Sequence, residues 1–120
     1  MQLLMFIKMN NTETTLKFTR NKVDINLQDK QGNTALIRSC YKDNTEESLK
    51  LIENKAVIDL QNNDGWTALM FSCENNNTEI VLNLIENKAN LDLQDRHGCT
   101  ALMYAYKNNN TKLIEKFIKK

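Results

Sequence analysis

Apolar residues recur at helical spacing in two adjacent segments near the middle of the chain. Residues 67–73 read Thr-Ala-Leu-Met-Phe-Ser-Cys, and a threonine followed by apolar residues is typical of a helix start. A second predicted helix runs from about Thr78 to Glu86, with Thr78 as its N-terminal cap. Its apolar stripe consists of Ile80, Val81, Leu84 and Ile85. We expect a tight turn at Asn76, because asparagine tolerates the left-handed backbone conformation.

The same pattern returns every 33 residues along the chain. Three sets of positions share this period: the glycines Gly32, Gly65 and Gly98, the Thr-Ala-Leu triplets that begin at Thr34, Thr67 and Thr100, and the polar residues Asp29, Asn62 and Asp95. The sequence Leu-Ile-Glu-Asn-Lys-Ala also occurs twice, at 51–56 and 84–89. Self-similarity at a fixed period of this length indicates a repeat protein.

A unit of 33 residues that begins D-x-x-G-x-T-x-L closely resembles the ankyrin repeat. The resemblance covers essentially the whole chain and implies an all-α, ankyrin-like solenoid of stacked helix-turn-helix repeats with short β-turn or hairpin loops. It divides the single domain 1–120 into a partial N-terminal repeat at 1–28, repeats at 29–61 and 62–94, and a C-terminal repeat at 95–120 that lacks its final loop. The opening apolar run then becomes the inner helix of the partial repeat.

Two departures from the ankyrin pattern affect the expected local structure. The second helix of the first full repeat carries Glu47 and Ser48 where the next repeat has apolar residues. We expect this helix either to be less stable or to shift its register onto Leu49. A lysine also replaces the usual glycine before each final loop, at Lys22, Lys55 and Lys88. A left-handed lysine costs about 1 kcal/mol, so the sequence leaves the geometry of these loops open.

Composition and charge exclude several classes of function. The chain has 16 Lys and Arg against 15 Asp and Glu, a formal net charge of +1, and therefore no overall field that would attract nucleic acid or an anionic membrane. No apolar stretch approaches the roughly 20 residues that span a bilayer. The opening segment lacks the basic start and the cleavage site of a secretory signal. We expect a cytoplasmic protein without a membrane partner; the sequence leaves export into a host cell open.

The residues capable of covalent or metal chemistry form no recognisable catalytic pattern. Cys40 and Cys73 occupy equivalent positions on successive inner helices, and helices stacked about 8–10 Å apart are too distant for a disulfide. We expect both to be small buried residues. Cys99 lies near His97 as an expected exposed thiol, but no third group is evident to orient a Cys–His nucleophile. One histidine without a close cysteine pair matches no zinc spacing. The sequence predicts no enzymatic activity, no metal and no cofactor.

The resemblance to ankyrin repeats implies a protein-binding groove formed by the hairpin tips and the exposed side of the inner helices. Carried over position by position, it gives nine partner-binding candidates: Trp66, Tyr41, Phe71, Tyr104, Arg38, Lys42, Glu74, Arg96 and His97. Trp, Tyr and Arg dominate interface hot spots, and Trp66 is the strongest candidate. Phe71 and Tyr104 have a second interpretation, in which their rings only pack between helices. The expected function is a non-catalytic, monomeric interaction module with an unidentified protein partner, a host protein among the candidates.

Two other functions stay open. The chain begins inside one repeat and ends before the final loop of another, which favours a piece of a longer array with a purely structural role. A nucleic-acid interface would use the basic residues of the groove, which are Lys30, Arg38, Lys42, Arg96 and Lys107. Glu74 and Asp64 belong to the same surface and would repel phosphates. We therefore expect no nucleic-acid partner.

Overall fold

The computed structural model describes residues 24–118, which form six helices and no strand. The helices are α1 (Ala35–Tyr41), α2 (Thr45–Glu53), α3 (Ala68–Glu74), α4 (Thr78–Glu86), α5 (Ala101–Lys107) and α6 (Thr111–Ile118). We call α1, α3 and α5 the inner helices and α2, α4 and α6 the outer helices; each set begins at intervals of 33 residues. This confirms the predicted all-α solenoid. Most of the partial repeat predicted at 1–28, including Lys22, lies outside the described residues, and the repeat boundaries stay predictions.

Polar side chains cap five of the six described helices at their N-termini; Thr100, before α5, makes no such bond. Thr67 Oγ1 accepts a hydrogen bond from Met70 N at 3.1 Å, which confirms the predicted start of α3. The cap of α4 is Asn77, whose Oδ1 accepts from Ile80 N at 3.1 Å. The prediction of Thr78 as this cap is wrong, because asparagine is the stronger N-cap residue and directly precedes the threonine. Equivalent caps elsewhere are Thr34, Asn44 and Asn110.

The core lies between stacked helix pairs. The inner helices approach through the buried residues Ala35, Ala68 and Ala101, with α1 against α3 and α3 against α5. The outer helices supply larger buried side chains: Leu51, Ile80, Val81, Leu84 and Leu113. Because each pair buries its apolar surface mainly against its neighbours, the stability of one pair depends on the stack.

Helix α2 keeps the register of the other outer helices despite its polar residues. Glu47 and Ser48 are fully buried, whereas Leu49 is only partly buried, so the predicted shift onto Leu49 is wrong. The polar side chains find hydrogen bonds in place: the hydroxyls of Ser48 and Ser39 lie 2.7 Å apart, and Glu47 Oε1 accepts from Asn44 Nδ2 at 3.3 Å. Hydrogen bonding makes this burial tolerable without a shift.

Left-handed residues end the helices at regular positions. Asn76 and Asn109 have φ values of 56° and 54°, which confirms the turn predicted at Asn76. Lys55 and Lys88 both have φ 70° and so adopt the glycine-like conformation that the sequence left open. After α2, Lys55 N bonds to Ile52 O at 3.0 Å and the next amide bonds to Leu51 O at 3.1 Å. These two hydrogen bonds form a Schellman motif, and they offset the strain of the left-handed lysine.

Asparagine side chains join neighbouring repeats. Asn75 Nδ2 donates to Cys40 O at 2.8 Å, and Asn108 Nδ2 makes the equivalent bond to Cys73 O at 2.8 Å. The cap Asn77 also donates from Nδ2 to side chains of the preceding repeat, Asp43 Oδ1 and Thr45 Oγ1, at 2.8 Å each. The abundance of asparagine therefore has a structural role: the same side chain caps or follows a helix and fixes it to its neighbour.

The hairpins stack as closely as the helices do. Asn63 N donates to Gln31 O at 2.9 Å, and Arg96 N makes the equivalent bond to Asp64 O at 3.0 Å. Gly65 has φ +81°, and a methyl group on it would lie 2.8 Å from Asp95 Cα. Only glycine satisfies both the conformation and the close approach at this point.

Candidate functional site

Four aromatic side chains form a continuous row across the three inner helices and one hairpin. Tyr41 meets the ring of Phe71 edge-on, with centroids 5.4 Å apart. The ring of Trp66 lies 4.4 Å from Phe71 and 4.6 Å from Tyr104. Both the edge-on and the tilted contacts fall within the distances at which aromatic pairs stabilise one another. We call Tyr41, Phe71, Trp66 and Tyr104 the aromatic ridge.

The aromatic ridge is anchored on the core and partly open to solvent. Phe71, Trp66 and Tyr104 are partly buried and pack against the buried core, while Tyr41 is 64 % exposed. The sequence offered packing and surface exposure as alternative interpretations of Phe71 and Tyr104, and the two rings combine them. One side of each ring supports the helix stack and the remainder is accessible.

Hairpin residues hold two of the inner-helix side chains in place. Asp29 Oδ2 accepts from Arg38 Nη2 at 2.6 Å and from Arg38 Nε at 3.1 Å. In the last repeat, Asp95 Oδ2 accepts from Tyr104 Oη at 2.5 Å. The corresponding pair in the middle is Asn62 and Phe71, where the ring offers no donor and the hairpin residue is neutral. The chemistry of each hairpin residue thus matches that of the helix residue nine positions later.

These contacts set the ionisation of both aspartates. Burial alone would raise the pKa of Asp95, but the hydrogen bonds from Tyr104 and from the amides of Cys99 and His97 outweigh it and hold that pKa below its ordinary value. The pKa of Asp29 is lowered in the same way: burial opposes the shift, and bonds from the Asn33 amide and from Arg38 produce it. Burial and the Asp95 carboxylate together raise the pKa of Tyr104. Both hairpin acids are therefore charged at neutral pH, and Tyr104 is a neutral donor.

Two hollows flank the aromatic ridge. The larger, a cavity of about 530 Å³, brings together Arg38, Tyr41 and Phe71 with five polar hairpin residues: Gln31, Asn33, Asn62, Asn63 and Asp64. The smaller, of about 160 Å³, is lined by Asp64, Trp66, Arg96 and His97. Of the nine candidates predicted from the sequence, seven belong to the ridge or line a hollow. Lys42, at the C-terminal end of α1, and Glu74 belong to neither.

Three of the charged candidates, Arg38, Arg96 and Glu74, are engaged in ion pairs. Arg96 Nη1 lies 3.1 Å from Asp64 Oδ1 on an exposed part of the hairpins. Glu74 Oε2 lies 3.6 Å from Lys107 Nζ on the next inner helix. With the pair between Arg38 and its aspartate, three cations of this surface have an acidic partner within the described residues. The surface is polar, and at each of these three pairs the charges balance.

The residues that carry covalent chemistry are buried or isolated. Cys40 and Cys73 are both buried, as predicted. Burial raises the pKa of the Cys73 thiol to about 12 and likewise raises the pKa of Cys40, so neither thiol ionises readily to the reactive thiolate. Cys99 is partly buried rather than exposed as expected. Within residues 24–118, no three His, Cys, Asp or Glu side chains are placed to hold a metal, and no helix combines the length and apolar character that crossing a bilayer requires.

Asp29 and Asp95 belong to this surface but are not among the residues that the sequence predicted for it. The sequence contains a signal for these contacts. A hairpin acid precedes a hydrogen-bond donor by nine positions in two repeats, whereas a neutral Asn62 precedes Phe71 in the third. In those two repeats, the spacing identifies the inner-helix side chain that the acid holds. The fixed orientation of Arg38 and Tyr104 follows from it.

Comparison with protein families agrees with the repeated architecture. The family model described as Ankyrin repeats (3 copies) matches residues 3–95 and, in a second overlapping alignment, residues 47–120. No curated protein matches the chain significantly. Because the matched residues cover nearly the whole sequence and the helix pairs stack at the predicted interval, the chain belongs to the ankyrin repeat family, whose members are generally protein–protein interaction modules.

Proposed function

We propose that this chain binds a partner protein through the aromatic ridge and the two hollows beside it, without catalysing a reaction. The observation that carries the proposal is the continuity of the ridge: four rings in contact span the inner helices α1, α3 and α5. Aromatic side chains supply large contact areas and are enriched among interface hot spots. The remaining candidates, including Arg96 and His97, form the polar surroundings of these anchors.

Rigidity of the surface supports the proposal. Phe71 and Trp66 are held between ring neighbours and the core, and Tyr104 is tied to Asp95 at 2.5 Å. A partner that meets side chains already in place does not need to immobilise them. Immobilisation would otherwise weaken the binding free energy by about 0.5–1.5 kcal/mol for each side chain. The stacked repeats therefore present a preorganised surface.

The pairing of three of the five basic groove residues with acids disfavours the nucleic-acid alternative. Binding to phosphates requires cations that are free to release counterions, whereas Arg38, Arg96 and Lys107 each have an acidic partner. A protein surface with matching apolar anchors suits the ridge better than a polyanion does.

A paired affinity capture with quantitative mass spectrometry tests the proposal. The baits are the native chain, the double variant Trp66→Ala with Tyr41→Ala, and Tyr106→Ala as a matched control. Tyr106 is 52 % exposed on α5 and lies outside the ridge. Circular dichroism first establishes that all three baits have the same helix content. We expect a protein held by the native and control baits and lost with the double variant.

Two results would contradict the proposal. A protein held equally by all three baits would place its binding site elsewhere on the chain. A folded native bait that retains nothing above background would favour the alternative of a structural piece of a longer array.

A further inference from the structure

The described groove has a periodic row of flat side chains. Arg38, Phe71 and Tyr104 occupy the same position on the three inner helices. A guanidinium plane, a phenyl ring and a phenol ring therefore recur once per repeat, and adjacent helices in such stacks lie about 8–10 Å apart. Arg38 is oriented by two hydrogen bonds to Asp29 Oδ2, and Tyr104 by Asp95. A ligand that runs across the helices meets a flat side chain at each interval, charged in the first repeat and aromatic in the other two.

The spacing of this row distinguishes among peptide conformations. A polyproline II helix has three residues per turn and a rise of about 3.1 Å, so the same face returns about every 9 Å. A β-strand presents the same face about every 7 Å, and an α-helix turns about every 5.4 Å. The ring centroids of Phe71 and Tyr104 lie 4.4 Å and 4.6 Å from that of Trp66, so these two rings are at most about 9 Å apart. Polyproline II is the regular conformation whose repeat comes closest to this upper limit and to the typical spacing of packed helices.

Hydrogen bonding and charge favour the same conformation. A polyproline II segment has no internal hydrogen bonds and exposes its carbonyl groups. The larger hollow offers amide groups to these carbonyls from Gln31, Asn33 and Asn63. The two arginines of the groove are paired with acids, which favours an uncharged segment beside them. Recognition of polyproline II generally relies on aromatic-lined grooves and on the low entropy of a preformed helix.

We propose that the occupant of the aromatic ridge is an uncharged, proline-rich segment of the partner protein, bound in the polyproline II conformation across α1, α3 and α5. The inference rests on the proposed function, since it names the partner chemistry of the same surface. Proline rings pack on Phe71, Trp66 and Tyr104, and the segment enters past Tyr41 at the exposed end of the ridge.

Trp66 provides the measurement, because it is the single tryptophan of the chain and lies within the ridge. Its fluorescence is titrated with an acetylated and amidated peptide of nine prolines. Matched titrations use a glycine–serine peptide of equal length and an oligouridine. We expect a saturable change in emission with the proline peptide alone. The apparent Kd should rise at least tenfold in Phe71→Ala and at least threefold in Tyr41→Ala, and should be unchanged in Tyr106→Ala.

Several results would overturn the inference. These are an absence of saturation with the proline peptide, equal binding of the glycine–serine peptide, tighter binding of oligouridine, or an unchanged Kd in Tyr41→Ala. Tyr41 is 64 % exposed, so this variant stays informative if Phe71→Ala fails to fold. A partner that is captured through the ridge but is not displaced by the proline peptide would refute the inference and leave the proposed function intact.

Discussion

Two sets of positions in the stacked repeats differ in how their residues change from one repeat to the next. One set, at the start of each inner helix, keeps the same residues: threonine at 34, 67 and 100, alanine at 35, 68 and 101, and leucine at 36, 69 and 102. Those that face the groove do not: one position holds Arg38, Phe71 and Tyr104, a second Tyr41, Glu74 and Lys107, and a third Asn33, Trp66 and Cys99. Stacking fixes the residues of the first set, whereas the second set is free to serve recognition.

The closeness of neighbouring backbones explains why the first set of positions varies less than the second. At the stacking positions, neighbouring backbones approach so closely that a methyl group on Gly65 would overlap the next hairpin. The groove positions are constrained only in pairs, as where Asp95 matches the hydroxyl of Tyr104 and Asn62 matches the absence of a donor on Phe71. Variants should therefore separate the two sets: changes between repeats affect the free energy of unfolding, and changes in the groove affect binding.

The largest effect is expected from a cavity in the core. Leu84 is fully buried, and Leu84→Ala should lower the free energy of unfolding by about 2–5 kcal/mol. Tyr41→Ala removes a side chain of similar or larger size from the groove and should cost about 1 kcal/mol or less. Urea unfolding followed by circular dichroism measures both. Equal losses would remove the distinction between stacking and groove positions.

A glycine pair isolates the effect of the neighbouring repeat. Gly65 and Gly98 have φ values of 81° and 80°, but a methyl group on Gly65 would lie within about 3 Å of backbone atoms of the next hairpin, whereas one on Gly98 would face open space. We expect Gly98→Ala to cost about 1–2 kcal/mol from the left-handed backbone alone, and Gly65→Ala to cost about 1–2 kcal/mol more. The same urea titration compares them, and similar losses would mean that close stacking is not the constraint.

Asn77 separates helix capping from the joining of repeats. Asn77→Ala removes both the cap of α4 and the bonds to the preceding repeat, and should cost about 1–2 kcal/mol. Asn77→Ser keeps a capping oxygen and should lose only about half of that. If the serine variant is as stable as the native chain, the bonds between repeats contribute nothing measurable.

The ion pairs of the groove should couple weakly and unequally. Arg38 and Asp29 are only 16 % and 15 % exposed, and a double-mutant cycle should give about 1 kcal/mol. Arg96 and Asp64 are 65 % and 61 % exposed, and their coupling should stay below about 0.5 kcal/mol. A larger coupling for the exposed pair would contradict the assignment of Asp29 as the residue that orients Arg38.

The smallest effect on the free energy of unfolding is expected from lowering the pH. The pKa of Asp95 is lower in the folded chain than its ordinary value of about 3.9 in unfolded chains. The stabilisation linked to this shift is present above the unfolded pKa and is lost as pH falls through the folded pKa. The stability of the native chain relative to Asp95→Asn should therefore decrease between about pH 5 and pH 2. Urea midpoints at several pH values test this, and parallel curves for the two chains would contradict it.

Local signals in the sequence predict the helices well and the contacts between repeats poorly. The segment from Thr78 to Glu86 forms a helix with those bounds, because its apolar stripe and capping residues act within one turn. The bond from Asn77 Nδ2 to Asp43, a residue of the preceding repeat, was not predicted. Contacts of this kind join side chains more than 30 positions apart in the chain, and no local pattern encodes their distances.

For the candidate site, too, the sequence predicts the positions of residues but not the contacts between them. The resemblance to ankyrin repeats gave the positions of the ridge residues, but not that Trp66 lies between Phe71 and Tyr104. Glu47 is a further example, since the polarity of α2 predicts a less stable or shifted helix, whereas hydrogen bonds within the same repeat accompany its native register. The role of the ridge in binding stays a prediction.

Site-specific photo-crosslinking tests the central claim, that the groove positions recognise a partner, most directly. The photoreactive residue p-benzoylphenylalanine replaces Tyr41 in one chain and Tyr106 in another; the two sites are 64 % and 52 % exposed, and only the first belongs to the aromatic ridge. After irradiation in lysate, we predict a discrete covalent adduct with one protein at position 41, suppressed by excess native chain and absent at position 106. Equal adducts at both positions, or an adduct at position 106 alone, would contradict the assignment of the ridge as the binding site.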